Sequence, residues 1–526
     1  MLAVVPSATL HGLDGRVIRV EVDVAPGLPG CTIVGLPDTA LQEARERVRG
    51  AIRNAGFVFP PRRITINLAP ADLRKAGASL DLAMAIGILL GSEQTRAGSD
   101  GAALLGELSL GGEVQGVPGT LPMVAALIRQ GFARVIVAHT AVDEARLVEG
   151  VEVVGVGTLA EAAEVVRGRR PRRRPVTMPR VTIQVAGATG DDGQVDPRAG
   201  PPAVPVPDLA EVRGQAEARR ALEIALAGGH GLLLTGPPGV GKTLLARTIP
   251  GLLPPLDDAA ALAVTVVASA SGEGPIIALR REPPFRAPHH TLSYAAMVGG
   301  GPNLTPGEIT RADHGVLFLD ELGEFDRDVL EALRQPLEEG RVVIARAGRV
   351  MAFPARFQLI AAMNPCPCGY AGSEPETRCR CTRNIVERYD RRVSGPLRDR
   401  IDLWVTMVRI PAETLLAMRE PEASAAVAPR IAEIRARSLV RNVGQLNGRL
   451  RGRALRAACL LSEDARKRMI ALAEGEAASG RGTERLLRVA RTIADLEGAD
   501  AVRSSDLEEA AWFRSATERA AGALAS

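Results

Sequence analysis

The chain has 526 residues, 65 of them basic and 61 acidic, for a net charge of +4; 46% are hydrophobic and 24% charged. At about 150 residues per domain there is room for three or so domains, each with its own core. The balance excludes a disordered chain, a collagen-like fibre and a small disulfide-stapled domain, and no run of about 18 apolar residues reads as a membrane span.

The N-terminal MLAVVPSATLHG lacks the basic start and apolar core of a secretory signal, so a cytoplasmic location is expected. Strands and helices then alternate. In residues 17–24, Val20, Val22 and Val24 alternate with Arg19, Glu21 and Asp23, the period of a strand. Residues 39–55 place Leu41, Ala44, Val48, Ala51 and Ile52 on one helical stripe, with Gly56 positioned to end it. Short buried strands are predicted at 64–70 and 134–138, and a helix through Leu90 that Ser79 would cap. Together these predict an α/β domain over 1–166.

Residues 167–207 are dominated by Pro, Gly and Arg and lose apolar periodicity, so they read as a linker. Seven arginines fall between Arg167 and Arg180, more than the net charge of +4. The stretch is expected to be a solvated spacer or an arm that touches nucleic acid. Alternation resumes over 208–410, an α/β core. Beyond Pro411 the pattern is helical only, at 427–441, 453–460, 462–475, 481–498 and 505–521, and 411–526 is expected to form a helical lid. Ser505 and Glu508 have capping-box spacing at the start of the last helix.

The strongest motif is GPPGVGKT: Gly236, Pro237, Pro238, Gly239, Val240, Gly241, Lys242 and Thr243. It follows a short apolar strand and opens a helix, as a phosphate-binding loop must. The glycines let backbone N–H groups turn onto phosphate oxygens. Lys242 is expected to reach the β/γ-phosphates of ATP, and Thr243 to hold Mg²⁺. The chain has only three lysines, Lys75, Lys242 and Lys467, and one of them falls where a flexible point charge is required.

A second apolar strand, GVLFLDE (315–321), ends in two carboxylates. Asp320 is expected to hold Mg²⁺, and Glu321 to orient or deprotonate the attacking water. A third, FQLIAAMNP (357–365), delivers Asn364 towards the γ-phosphate, in the manner of a sensor-1 residue. Arg400 in SGPLRDRID (394–402) is expected to be an arginine finger reaching a neighbouring subunit's nucleotide. Arg485 and Arg488, three apart in the helical region, share a face, and either fits the sensor-2 role.

This order of motifs resembles an AAA+ ATPase. EVRGQAEARRALEIALAGGH, PFRAPHHT, GVLFLDELGEFDRDVLEALRQPLEEG, FPARFQLIAAMNPCPCGY and SGPLRDRIDL resemble the magnesium-chelatase-like ATPases of the YifB/ComM family. The likeness extends to the N-terminal VGLPDTALQEARERVRGAI. Arg398 stands where the family pattern has an apolar residue. The resemblance implies a homo-oligomeric, hexameric ring and DNA helicase action, with branch migration of single-stranded or branched DNA during natural transformation. A metal-chelatase-like or protein-remodelling ATPase shares the same nucleotide site and remains the alternative.

KAGASLDLAMAIGIL (75–89) resembles the segment of Lon-type proteases that carries the nucleophilic Ser, with Ser79 at that position. The Lon base is a Lys, and the matching position here is Pro122, which has no titratable group. A Lon-protease-like, peptidase-inactive domain is therefore expected.

Cys366, Cys368, Cys379 and Cys381 fall within sixteen residues. Four thiolates can hold a structural Zn²⁺, although a single residue between the members of each pair is tighter than the usual spacing. Finally, residues 340–357 predict a β-hairpin before the Asn364 strand, with Arg346 and Arg349 at its tip as DNA-phosphate contacts.

Overall fold

A computed structural model of the chain describes residues 1–35, 39–71, 75, 78–98, 101–169, 205–301, 304–346, 349–372, 378–475 and 480–523. Most of the expected linker, 170–204, lies outside them. The chain forms two compact units. One comprises Met1–Val204, Ala261–Arg280 and Gly301–Pro306; the other comprises Pro205–Ala260, Arg281–Gly300 and Gly307–Ser526.

The first unit contains a four-stranded sheet in the order Leu2–His11, Asp14–Ala25, Arg63–Ala69, Gly30–Val34. The first pairings are antiparallel and the last is parallel. The alternation read in residues 17–24 is real: Ile18, Val20, Val22 and Val24 are buried. The helix Thr39–Asn54 sends Ala44, Val48, Ala51 and Ile52 into the same core, and Gly56 follows it at φ +85°. A smaller parallel sheet joins Ala103–Leu104, Arg134–Ala138 and Glu152–Val156.

Ser79 is not a cap. The helix Asp81–Gly91 starts after Leu80 and has no side-chain cap, while the Ser79 hydroxyl donates to the Ala8 carbonyl at 3.1 Å. The strand beside the helix supplied an acceptor that the local pattern could not reveal. Pro122 sits buried in the helix Thr120–Arg129, tight against Gly15. Lys75 is buried, and its ammonium donates to the Pro70 carbonyl.

The second unit is built on a five-stranded parallel sheet. Its order is Phe285–Arg286, Val316–Leu319, Gln358–Met363, Leu232–Thr235, Leu403–Thr406. Its strands are short, and the four longer ones are mostly apolar, as expected where both faces are covered. The helix Ala216–Gly228 buries Ala221, Leu222, Ile224 and Ala225 against it. Helices at Ser424–Arg441, Gly452–Ala458, Glu463–Gly475, Gly480–Leu496 and Ser504–Ala523 match the helical expectation, with a further short one at Ala412–Ala417. Val427, Ile431, Leu486, Val489, Ile493 and Leu507 join the same core cluster as Leu234 and Phe318.

The last helix does not start with the expected capping box. Asp506 instead accepts the backbone N–H of Arg503 at 2.7 Å and pairs with the Arg503 guanidinium. An Asp three residues on from Arg503 makes both bonds at once, and Ser505 with Glu508 cannot.

The predicted hairpin is present as Arg341–Arg346 against Arg349–Pro354, with Arg346 opposite Arg349 and residues 347 and 348 outside the described set. Val342, Ile344 and Phe353 point into the core, whereas Val350 is exposed.

Candidate nucleotide site

In a parallel sheet every strand delivers its C-terminal end to the same edge, where ligands bind in open α/β folds. The three central strands place the three sequence motifs there side by side. Gln358–Met363 lies between Leu232–Thr235 and Val316–Leu319, with Met363 beside Thr235 and Ala361 beside Leu319. The loop after Thr235 is turned by Gly236, Gly239 and Gly241 at φ +157°, +82° and +96°. At Gly236 a side chain is doubly excluded, because a Cβ would come 2.4 Å from the Met407 carbonyl.

Lys242 is the centre of the site. Its ammonium donates to the carbonyls of Gly236 at 2.6 Å and Pro237 at 2.9 Å and to Asn364 Oδ1 at 3.1 Å. Phosphate loop and Asn strand thus meet on one cation. Burial pushes the Lys242 ammonium down to about 8, against the pull of the Asp320 and Glu321 carboxylates. Thr243 Oγ1 donates to Asp320 Oδ2 at 2.7 Å, and the Glu321 N–H donates to Asp320 Oδ1 at 2.9 Å. A hydroxyl and a carboxylate in contact are the hard oxygen ligands that Mg²⁺ selects. Glu321 takes a left-handed backbone, φ +53°, rare outside glycine and a feature of sites where a side chain is held in a set direction. Its carboxylate is half exposed and has a partner that the sequence reading missed: His290 Nδ1, 3.1 Å from Oε2.

The arginines separate by environment. Arg488 pairs with Asp402 at 2.9 Å, and Asp402 also meets His230 at 3.2 Å. Burial works against the Asp402 carboxylate, but the Arg488 guanidinium and the His230 ring outweigh it and hold it well below the usual range. Arg485 pairs at 3.2 Å with Asp399, whose side chain is 57% exposed and so is easily surrendered to water. Arg400 is held within its own chain by Glu338 and the Pro396 carbonyl. Arg398, the departure from the family pattern, donates to the Val393 carbonyl at 3.0 Å and lies over the Trp404 ring at 5.4 Å. It braces the turn.

The cysteines converge. All four sulfurs lie within 4.8 Å of one another. Cys366 is 3.3 Å from Cys368 and 3.9 Å from Cys379, and Cys368 is 3.7 Å from Cys379. Tetrahedral zinc with bonds of about 2.3 Å to sulfur spaces its ligands by about 3.8 Å. The Ala371 N–H also donates to Cys366 Sγ at 3.3 Å. A turn at Gly369, φ +85°, follows the first pair. There a Cβ would come 2.7 Å from Pro238 Cδ, so this loop abuts the phosphate loop.

A glycine-turned phosphate loop, a carboxylate-ended strand and an Asn-ended strand between them define a P-loop nucleotide-binding protein of the AAA+ type. Family profiles agree. The magnesium chelatase subunit ChlI profile matches residues 208–415, a second ChlI profile 20–141, and the ChlI C-terminal profile 421–514. The chain is 42% identical over 520 residues to the YifB protein of Escherichia coli, covering 98% of this chain and 97% of that one. It is 39% identical over 516 residues to the competence protein ComM of Haemophilus influenzae, with coverage of 98% and 97%. A 193-residue stretch is 26% identical to the magnesium-chelatase 67 kDa subunit of Heliobacterium mobile, covering 31% of this chain and 29% of that one. The chain belongs to the YifB/ComM family of magnesium-chelatase-like AAA+ ATPases. Among the described residues no helix is long and apolar enough to cross a membrane.

Proposed function

We propose that the chain is a ring-forming ATPase that hydrolyses ATP to move along DNA or to migrate DNA branches. The observation that carries the ATPase part is the meeting of Lys242, Thr243, Asp320 and Asn364 at one sheet edge. Lys242 binds the β/γ-phosphates, Thr243 and Asp320 hold Mg²⁺, Asn364 contacts the γ-phosphate and Glu321 activates water. Arg485 is the sensor-2 residue, because Arg488 is tied to a buried carboxylate. Arg400 is the finger, released from Glu338 when a neighbouring subunit's nucleotide arrives. The four cysteines hold a structural zinc, and the 411–526 helices act as a lid. The N-terminal region keeps a Lon-like fold without peptidase chemistry, since Pro122 replaces the base.

Lys242 makes nucleotide affinity depend on pH. Its ammonium sits near 8 in the free site, and phosphate favours the charged form. Above pH 8 binding must first restore a proton, so ATP affinity is expected to fall about tenfold between pH 7 and 9. Titration of a fluorescent ATP analogue across that range checks this; a flat profile would sink the assignment.

The DNA part is supported by the hairpin and by similarity to a competence protein. Two arginines at a hairpin tip suit phosphate contact that is salt-sensitive and independent of sequence. Adding DNA should stimulate ATP hydrolysis, and Arg346→Ala with Arg349→Ala should remove that stimulation and weaken DNA binding. Stimulation unchanged at moderate salt would exclude the hairpin. Similarity to a chelatase subunit favours a second reading, a protein-remodelling ATPase. That reading predicts no response to DNA at all.

A further inference from the structure

The loop that gathers the four cysteines also carries arginines. Between Cys366 and Arg392 the sequence has six arginines against four acids. In Arg378-Cys379-Arg380-Cys381 the roles alternate: both sulfurs join the cluster, while Arg378 and Arg380 are exposed. Among the described residues neither arginine has a carboxylate within ion-pair distance. The arginines that follow are engaged: Arg383 and Arg391 share Glu387 at 3.2 and 3.6 Å, and Arg392 donates to the Gly323 carbonyl at 2.6 Å. Arg378 instead lies over the ring of Tyr370, 5.6 Å from its centroid. Tyr370 is half-buried and is one of three tyrosines in the chain. This layer is fixed to the cluster, because the backbone N–H groups of Tyr370 and Arg380 both donate to the Cys368 sulfur. The loop thus presents a flat guanidinium backed by a ring, with a second exposed cation two residues on.

Resting on the reading of the chain as a DNA-moving ATPase, we infer that the cysteine loop is a second DNA contact, one that grips a single strand. Arg378 and Arg380 meet backbone phosphates, and the layer of Tyr370 and Arg378 stacks an unpaired base. Aromatic rings and guanidinium planes are the surfaces on which splayed bases lie. A base inside a duplex is already stacked on both faces, so the layer selects single strands. Stacking reads no base edge, which makes the contact tolerant of sequence. The loop also links DNA to the nucleotide. Tyr370 follows Gly369, where a Cβ would come 2.7 Å from Pro238 Cδ of the phosphate loop, so a strand laid on Tyr370 bears on that loop one residue away. The hairpin of Arg346 and Arg349 precedes the strand Gln358–Met363, and the cysteine loop follows it. One strand of the sheet therefore has a DNA contact at each end.

The test is binding of a fluorescent oligo-dT strand, and of a duplex of equal length, by the full chain over a range of salt. Arg378→Ala with Arg380→Ala is expected to weaken binding of the single strand about tenfold. It should also lower the slope of log affinity against log salt by about 1.4, the value for two lost phosphate contacts on a single strand. Tyr370→Leu removes the ring without removing a charge. It is expected to weaken binding about tenfold with the slope unchanged, and Tyr370→Phe to stay near the parent. The arginine variant should keep the parent's metal content, melting temperature and hydrolysis in the absence of DNA. Unchanged affinity and slope in that variant overturn the inference. An equal loss on duplex in Tyr370→Leu overturns the assignment to single strands. A parent chain that binds no DNA removes the DNA reading and the inference with it. DNA binding lost in Arg346→Ala with Arg349→Ala but intact in both loop variants removes the inference alone.

Discussion

Glu321→Gln is expected to bind ATP as the parent chain does and to hydrolyse it about 10²–10⁴-fold more slowly. Gln has the shape of Glu and fits the same left-handed backbone position, so the strand end and the Glu321 N–H bond to Asp320 survive. Only the carboxylate proposed to accept water's proton is lost. Lys242→Ala is expected to fail a step earlier. It deletes the ammonium that binds Gly236, Pro237 and Asn364 together and that would face the phosphates, so nucleotide binding itself should disappear. Equilibrium binding of a labelled nucleotide, measured beside phosphate release, distinguishes the two. Near-normal turnover by Glu321→Gln would rule out its assigned role, and retained binding by Lys242→Ala would remove the phosphate loop from the site.

The central sheet and the nucleotide motifs were legible because the signals are local. Apolar runs of four to six residues ending in a polar group mark buried parallel strands, and GPPGVGKT carries its own conformational demand. Strand order was not legible, since it depends on pairings between residues more than a hundred positions apart, such as Thr235 with Met363. A pairing set by strand order also hid His290. Its neighbour Glu321 is defined by a parallel register, and HH after a short edge strand carries no pattern of its own. Capping was misread for a related reason. Ser79 has a suitable hydroxyl, but a carbonyl seventy-one positions earlier, Ala8, claims it.

The two candidate sensor arginines show how environment divides residues that sequence leaves equal. Arg485 and Arg488 lie on one helix face, yet Arg488 sits opposite a fully buried Asp402 that His230 also grips. Withdrawing Arg488 would strand a buried carboxylate, a change that costs several kcal/mol and leaves little freedom to swing towards a nucleotide. Arg485 faces half-exposed Asp399, which water can solvate in its place.

The second large effect is expected at the cysteines. Protein purified without chelator should contain about one zinc per chain, and Cys379→Ser with Cys381→Ser should lose it. Four sulfurs brought within 4.8 Å repel as thiolates unless a cation joins them, so the metal is what would hold 366–381 closed. That closure reaches the nucleotide. Asn364 stands two residues before Cys366, and Gly369 in the same loop packs against Pro238 of the phosphate loop. Opening the loop frees both contacts, so the double variant should bind ATP more weakly as well as melt at lower temperature. Elemental analysis gives the metal content, and a labelled nucleotide gives the affinity. Parent chain without zinc and with four titratable thiols would remove the metal. A zinc-free double variant with unchanged ATP affinity would confine the metal to holding its own loop, and the contact between Gly369 and Pro238 would then carry no influence on the phosphate site.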